Sequence, residues 1–225
     1  MRLKLLAALL MLTAATTSIN YPKTITTRVE PEPCVVGHTS APIGFWTWPA
    51  NSHVNIYLRE PDFSAEYVSA VELAIGNWDA AAVENGSNVH FSFRGLTRET
   101  TSADGDLTII RGDVYNSKIK HLAVLQAHSL KSNQLIDYAV VIVDSRVKNP
   151  EVLTNIVVHE LGHSLGLLDC NSCSRKGTAM SLLKSGNESN GIEGPTVCDK
   201  MAVLSAYRDL ALRVRAASTV LTDLR

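Results

Sequence analysis

The sequence predicts a single α+β domain, and three observations lead to this fold class. Five short segments are rich in β-branched and aromatic residues, as strands are. Three other segments have apolar residues every three or four positions, which indicates helices that bury one face. The chain has 225 residues, 45% of them hydrophobic, which suits one sizeable core and leaves little room for a second domain.

One helix separates the first predicted strand from the other four. Ser64 can cap this helix, whose apolar stripe includes Trp78 and ends near Asn85 and Gly86. The last strand is a continuous apolar run, so it is expected to be buried on both faces. The predicted strands are residues 54–58, 89–93, 107–111, 122–128 and 138–143.

Two further helices are predicted in the last third of the chain. Asn149 is a suitable N-cap for a helix, and Pro150 a suitable first residue. The carboxylate of Glu151 would lie near the positive end of the helix dipole, which stabilises the helix. Thr196 and Asp199 have the spacing of a capping box, which starts the last helix. Between these helices, residues 185–194 are polar and predict a loop.

Residues 159–169, HELGHSLGLLD, have the pattern of a zinc site. On a helix, His159 and His163 lie one turn apart on the same face, so both rings can bind one metal ion. Glu160 can reach a metal-bound water without binding the metal, which is the position of a general base. Gly166 can adopt the left-handed conformation that ends a helix and returns Asp169 as a third ligand.

The same segment resembles the H-E-x-x-H-x-x-G-x-x-H/D signature of the metzincin metallopeptidases. Asp169 departs from the usual third histidine and is similar to the aspartate variant of snapalysin-like enzymes. Residues 177–181 resemble the Met-turn of the family, which implies that Met180 lies beneath the metal, although a core methionine is the alternative. The resemblance implies a matrixin-like fold: a twisted five-stranded mixed sheet, a backing helix, an active-site helix and a small helical C-terminal subdomain.

The strand at residues 122–128 loosely resembles the edge strand that lies above the zinc in matrixins. An exposed strand edge can pair with an extended peptide, so this strand is a candidate for substrate binding. His121 and His128 could equally be surface histidines. The matrixin insert that holds structural zinc and calcium is absent, so the resemblance implies one catalytic Zn²⁺ only. The candidate substrate residues are Leu122, Ala123, Val124 and Leu125.

The N-terminus predicts a secretory signal peptide over residues 1–18. Arg2 and Lys4 precede an apolar run over residues 5–12, which is too short to span a bilayer. Residues 19–45 contain four prolines and no periodicity, so we expect an irregular lead-in or short propeptide before a catalytic domain at residues 46–225.

Charge and hydropathy limit the partners that we expect. Removal of the signal peptide would take away two of the 21 basic residues and none of the 22 acidic ones, leaving a net charge of −3. No basic tract remains to indicate nucleic-acid binding. No other segment approaches transmembrane length, so we expect a secreted or periplasmic protein without a membrane anchor, most simply a monomer.

Four cysteines fit an oxidising compartment, and they allow three disulfide pairings. A bond from Cys170 or Cys173 to Cys198 is favoured, because it would tie the ligand loop to the last helix. Zinc binding by the cysteines is less favoured, since two histidines and a carboxylate already complete a catalytic set. Cys34 follows Pro33, as in the matrixin propeptide cysteine that binds zinc, but the rest of that motif is missing and a structural disulfide is expected.

The sequence therefore predicts a secreted zinc endopeptidase that acts on proteins or peptides. A metal-activated water would attack the peptide bond, and Glu160 would take its proton. One alternative is an exported binding or adhesion module in which the metal is only structural. Another is a domain without metal, because H-E-x-x-H alone arises by chance in roughly one chain of this length in a couple of hundred.

Overall fold

A five-stranded mixed sheet with two helices packed on it forms the main part of the structure. The structure is a computed structural model, and it describes residues 33–100, 103–114, 121–129, 135–174, 177–181, 189 and 191–222. The expected signal peptide, residues 1–18, lies outside the described residues. The elements are β1 (Ile43–Thr47), β2 (His53–Arg59), α1 (Ala65–Ala80), β3 (His90–Thr97), β4 (Asp106–Gly112), β5 (Ala123–His128), β6 (Tyr138–Asp144), α2 (Pro150–Ser164), β7 (Leu165–Leu167) and α3 (Val197–Thr222).

The sheet has the strand order β3-β2-β4-β6-β5. Its first four strands are parallel to their neighbours, and β5 is antiparallel to β6 at the edge. Parallel neighbours need a crossover connection, which α1 provides between β2 and β3. The sequence-based prediction of a five-stranded mixed sheet with a helix after its first strand is confirmed.

Helix α1 joins the sheet to α2. Its buried face includes Val71, Ile75 and Trp78, which belong to the predicted stripe. The Trp78 indole Nε1 donates a hydrogen bond to Val158 O at 2.8 Å, so it fastens α1 to the middle of α2. Ser64 is at the N-cap position as predicted, but its side chain makes no capping hydrogen bond. The helix ends at Ala80, before the predicted end.

Helix α2 begins at the predicted cap and is buried along nearly its whole length. Asn149 Oδ1 accepts a hydrogen bond from the N–H of Glu151 at 2.8 Å. Residues from Val152 to Gly162 are all buried, because α2 packs between α1, the sheet and the C-terminal part of the chain. A helix held on several sides gives its side chains fixed positions.

Strands β1 and β7 were not predicted. They form a separate two-stranded antiparallel sheet, and β1 begins at Ile43, inside the segment that was expected to be irregular. Strand β7 has three residues and directly follows α2. Such short strands form because distant segments meet in the fold, and they leave little local signal in the sequence.

The favoured disulfide pairing was wrong. Cys34 is bonded to Cys198, and Cys170 to Cys173, so all four cysteines are in disulfides. The expected structural disulfide at Cys34 is confirmed. Cys170 and Cys173 pair with each other because a tight turn brings their Cα atoms to 5.4 Å, within the range for a disulfide.

Helix α3 starts with the predicted capping box. Thr196 N donates to Asp199 Oδ2 at 2.9 Å, and Asp199 N donates to Thr196 Oγ1 at 3.2 Å. Val203 and Tyr207, on the predicted apolar face, are buried. Within the described part of the chain, none of the helices combines the length and apolar character that crossing a membrane requires.

Candidate metal centre

The last turns of α2 present two histidines whose ring nitrogens have distinct partners. The Nδ1 atom of His159 lies 2.9 Å from Ala179 O, and that of His163 lies 2.8 Å from Leu167 O. Because a carbonyl oxygen only accepts, each Nδ1 carries a hydrogen and each neutral ring has its lone pair on Nε2. Carbonyl partners of this kind orient histidines for metal binding.

One carboxylate oxygen of Asp169 lies close to the Nε2 atoms of both histidines. Its Oδ1 lies 3.0 Å from His159 Nε2 and 3.5 Å from His163 Nε2. Tetrahedral zinc, with bonds of about 2.0 to 2.1 Å, holds its ligand atoms about 3.3 Å apart. Both separations are close to this value, so Asp169 Oδ1 lies at a distance from each histidine nitrogen that two ligands of one zinc ion would have. The structure thus brings together the three residues that the motif predicts as ligands, and that role stays a prediction.

The chain reversal that returns Asp169 depends on Gly166. This glycine has φ +89°, in the left-handed region that the sequence analysis expected. A Cβ here would lie 2.7 Å from Thr47 Cγ2, so a side chain would also collide with β1. On the far side of Asp169, Cys170 N donates to Met180 O at 2.9 Å. Backbone contacts therefore hold the loop on both sides of the carboxylate.

The charges of the site are strongly coupled. Burial lowers the pKa of His163, but its hydrogen bond to Asp169 and the charge of Glu160 outweigh burial and raise the pKa to about 9. Burial raises the pKa of Asp169, but hydrogen bonds from His159 and His163 outweigh this and hold the pKa well below its usual range. The site thus stabilises positive charge next to Asp169, which is also the electrostatic requirement of a bound cation.

Glu160 has a buried carboxylate oxygen that lacks a partner. Its Oε2 makes no hydrogen bond to any described residue, and the residue lines a cleft. A carboxylate oxygen of Glu160 and imidazole nitrogens of both histidines lie within 4.8 Å of one another. Distance alone would therefore allow Glu160 as a ligand, but Asp169 Oδ1 is the atom in direct contact with both Nε2 atoms. The unpartnered oxygen leaves Glu160 available to bind a proton.

Met180 packs directly beneath the histidine-bearing turn of α2. The residue is fully buried, and a Cβ on Gly162 would overlap its sulfur atom. Gly162 directly precedes His163, so the absence of a side chain there lets Met180 approach the helix. The assignment of residues 177–181 as a Met-turn stays a prediction.

Asp199 connects the segment around Met180 to α3. Besides closing the capping box, its fully buried carboxylate accepts hydrogen bonds from Ala179 N at 2.9 Å and from the Thr178 hydroxyl. From the sequence, Asp199 was predicted only as part of the capping box. The capping box is the sequence signal that identifies Asp199. Its contacts with residues 178 and 179 could not be predicted from local sequence, because the fold brings these residues together from about twenty positions away.

A cleft of about 550 Å³ opens over the histidines. The edge strand β5 lines the cleft with Ala123, Val124 and Leu125, and the role of these residues in substrate binding stays a prediction. Leu122, the fourth candidate, is buried and is not among the lining residues. The cleft is also lined by residues of β1 and by residues 166–168, and these include Trp46, which was not predicted as a site residue.

Comparisons with known proteins do not assign the chain to a family. No family model matches the sequence. No curated protein matches it either. The solved structures that match include metalloproteinase-II from Bacteroides fragilis, with a TM-score of 0.40 and 11% sequence identity over 72% of this chain. The chain spans about half of that protein, 54% of its length, and a likeness at this level does not decide a function.

Proposed function

We propose that the chain is a secreted zinc endopeptidase of the metzincin type. The observation that carries this proposal is the convergence of Asp169 Oδ1 on the Nε2 atoms of both histidines, at 3.0 and 3.5 Å. The two disulfides and the signal-like N-terminus favour export. The proposed ligands are His159, His163 and Asp169, and they would hold one Zn²⁺.

The residues around this ion divide the chemistry among them. When bound, zinc would act as a Lewis acid that polarises the scissile carbonyl and makes a water more acidic. Glu160 would accept the proton of the attacking water and pass it to the leaving amine, and its unpartnered Oε2 suits that role. No cysteine nucleophile is needed, and all four cysteines are in disulfides.

The substrate would bind as an extended peptide along β5. Among the strands that the structure describes, β5 pairs only with β6. Leu122 O accepts from Asp144 N at 2.8 Å, and backbone groups alternate in direction along an antiparallel strand. The N–H and C=O groups of Ala123 and Leu125 therefore face away from β6, where a peptide backbone could pair with them.

Metal analysis and a casein assay test this proposal. The purified, secreted protein is expected to contain one zinc per chain and to cleave denatured casein, and 1,10-phenanthroline is expected to stop cleavage until zinc is restored. Zinc without cleavage would favour the adhesion or binding module. A protein that binds no zinc would show that the motif is accidental.

A further inference from the structure

Strand β1 contains a bulge that exposes Trp46 to the cleft. Ile43 pairs with Leu167 and Thr47 with Leu165, so four steps along β1 correspond to two along β7. The extra residues of β1 bend the strand out of regular pairing. Trp46 lies in this bulge, lines the cleft and is 44% exposed. A tryptophan that is exposed in the same cleft as His159, His163 and Asp169 is available for contact with a bound ligand.

Two other large apolar side chains are exposed in the same cleft. Leu168 is 48% exposed beside β1, and Val124 is 38% exposed on β5. A Cβ on Gly44 would lie 2.9 Å from Leu168 Cδ2, so the glycine is what lets Leu168 lie against β1. Single exposed apolar residues are common on proteins, but three around one cleft mark a binding surface.

The charges of the cleft also favour an apolar ligand group. No lysine or arginine is among the described residues that line it. Its titratable side chains are Glu160, Asp169 and three histidines, His121, His159 and His163, and the last two histidines are proposed zinc ligands. An acidic side chain would therefore meet carboxylates and find no lysine or arginine to pair with. A peptide that pairs with β5 directs its side chains alternately to the two sides of its backbone, and those on the cleft side can contact Trp46 and Leu168, which line the same cleft.

We propose that Trp46 is a specificity-determining residue that, together with Leu168, selects peptides with a large apolar or aromatic side chain next to the cleaved bond. This inference rests on the proposed peptidase function and adds a substrate class to it. Hydrophobic pockets discriminate between side chains of different size by about 10- to 200-fold. A preference of at least about tenfold for phenylalanine over alanine is therefore expected.

Quenched fluorescent peptides that differ at one position test the preference. Peptides with Phe, Ala or Asp at each position flanking the cleaved bond are compared as substrates of the zinc-loaded protein. For the position that contacts Trp46, kcat/KM is expected to fall in the order Phe, Ala, Asp. Trp46→Ala is expected to lower kcat/KM for the Phe peptide to about that of the Ala peptide, mainly through KM, and Trp46→Phe to retain the preference.

The matched control is Leu96→Ala. Leu96 is 47% exposed, similar to Trp46. It lies on β3, which is the edge of the five-stranded sheet farthest from β5. This variant is expected to retain the wild-type preference. Equal kcat/KM for the three peptides in the wild type, or an unchanged preference in Trp46→Ala, would overturn the inference. If Trp46→Ala is unfolded by circular dichroism, Trp46→Gln serves in its place.

A binding measurement separates this inference from the proposed function. Fluorescein-labelled Phe and Ala peptides are titrated with zinc-loaded Glu160→Gln and followed by anisotropy. Adding Trp46→Ala is expected to weaken binding of the Phe peptide about tenfold, with little effect on the Ala peptide. If the Phe peptide binds with the same affinity to Glu160→Gln and to the double variant with Trp46→Ala, the role of Trp46 is refuted. A wild type that cleaves no peptide refutes the peptidase function instead, and the anisotropy result still decides the role of Trp46.

Discussion

Ala179 lies between His159 and Asp199 and bonds to both through its backbone. Its carbonyl oxygen accepts from His159 Nδ1 at 2.9 Å, and its N–H donates to Asp199 Oδ2 at the same distance. The orientation of the first histidine is therefore coupled to a buried carboxylate on α3, twenty residues further along the chain from Ala179. This relationship makes α3 a support of the candidate metal centre, although none of its described side chains lines the cleft.

We expect Asp199→Ala to destabilise the protein and weaken zinc binding. The change leaves several buried donors without an acceptor, at a cost of about 3 kcal/mol in the free energy of unfolding. Urea unfolding and a competitive zinc titration measure the two effects. Asp209→Ala, at an exposed position of the same helix, is the control and should change neither quantity. Wild-type zinc affinity in Asp199→Ala would contradict the proposed coupling.

Glu160→Gln is expected to retain zinc and lose peptidase activity. The amide is close in size to the carboxylate but cannot accept the proton, and general-base catalysis typically contributes about 10²- to 10⁴-fold. Zinc content by mass spectrometry and kcat/KM on a casein peptide are the measurements. Cleavage near the wild-type rate would show that Glu160 is not the base.

Asp169→His is expected to move the acid limb of the pH-rate profile to lower pH. Zinc with two neutral imidazoles and one carboxylate carries a net charge of about +1, and with three imidazoles about +2. The more positive centre should make the attacking water more acidic. The profile of kcat/KM between pH 4 and 9 measures the shift. An unchanged or upward limb with zinc still bound would count against Asp169 as a ligand.

The metal-free protein is expected to lose stability as pH rises. The folded state raises the pKa of His163 from 6.5 to about 9, so the stabilisation by its protonated ring is fully present below pH 6.5 and is lost as pH rises through about 9. Urea unfolding is measured with a chelator present at pH 6.5 and at pH 9.5. The free energy of unfolding should be lower at pH 9.5 by at most about 3 kcal/mol. His163→Gln should abolish most of this difference, and an equal fall in that variant would exclude His163 as its source.

Two glycine-to-alanine changes in helices are expected to have opposite effects. In α2, a Cβ on Gly162 would overlap the sulfur of the fully buried Met180, so Gly162→Ala should destabilise the protein by about 1 to 3 kcal/mol. In α1, a Cβ on Gly76 would meet no atom within 4 Å, so Gly76→Ala should stabilise by up to about 1 kcal/mol. Thermal unfolding measures both. Stabilisation by both changes would contradict the close packing of Met180.

Local signals in the sequence predicted the parts of the fold that depend on neighbouring residues. Asn149 and the pair Thr196 and Asp199 cap their helices as their spacing indicates, because these hydrogen bonds close within three residues. The motif at residues 159–169 likewise brings its two histidines and its aspartate together through one helix and one turn. In these cases neighbouring residues bring the groups together, although contacts with Ala179 and Met180 then hold His159 and the loop of Asp169 in place.

The features that were missed depend on residues far apart in the sequence. Strand β1 pairs with β7 more than a hundred positions away, and Trp46 lies in the register shift of this pairing. The bond between Cys34 and Cys198 spans 164 residues, and sequence spacing did not favour it over the alternatives. Such contacts are fixed by the packing of the whole domain.

The bond between Cys34 and Cys198 restricts how the chain could be trimmed by a protease. A protease that cut between residues 45 and 46, the expected border of the catalytic domain, would leave residues 34–45 covalently attached to the first turn of α3. Among single cuts within residues 19–45, only one on the N-terminal side of Cys34 releases a peptide without a reductant. Maturation by trimming would thus retain β1 and its tryptophan as a permanent wall of the mature cleft.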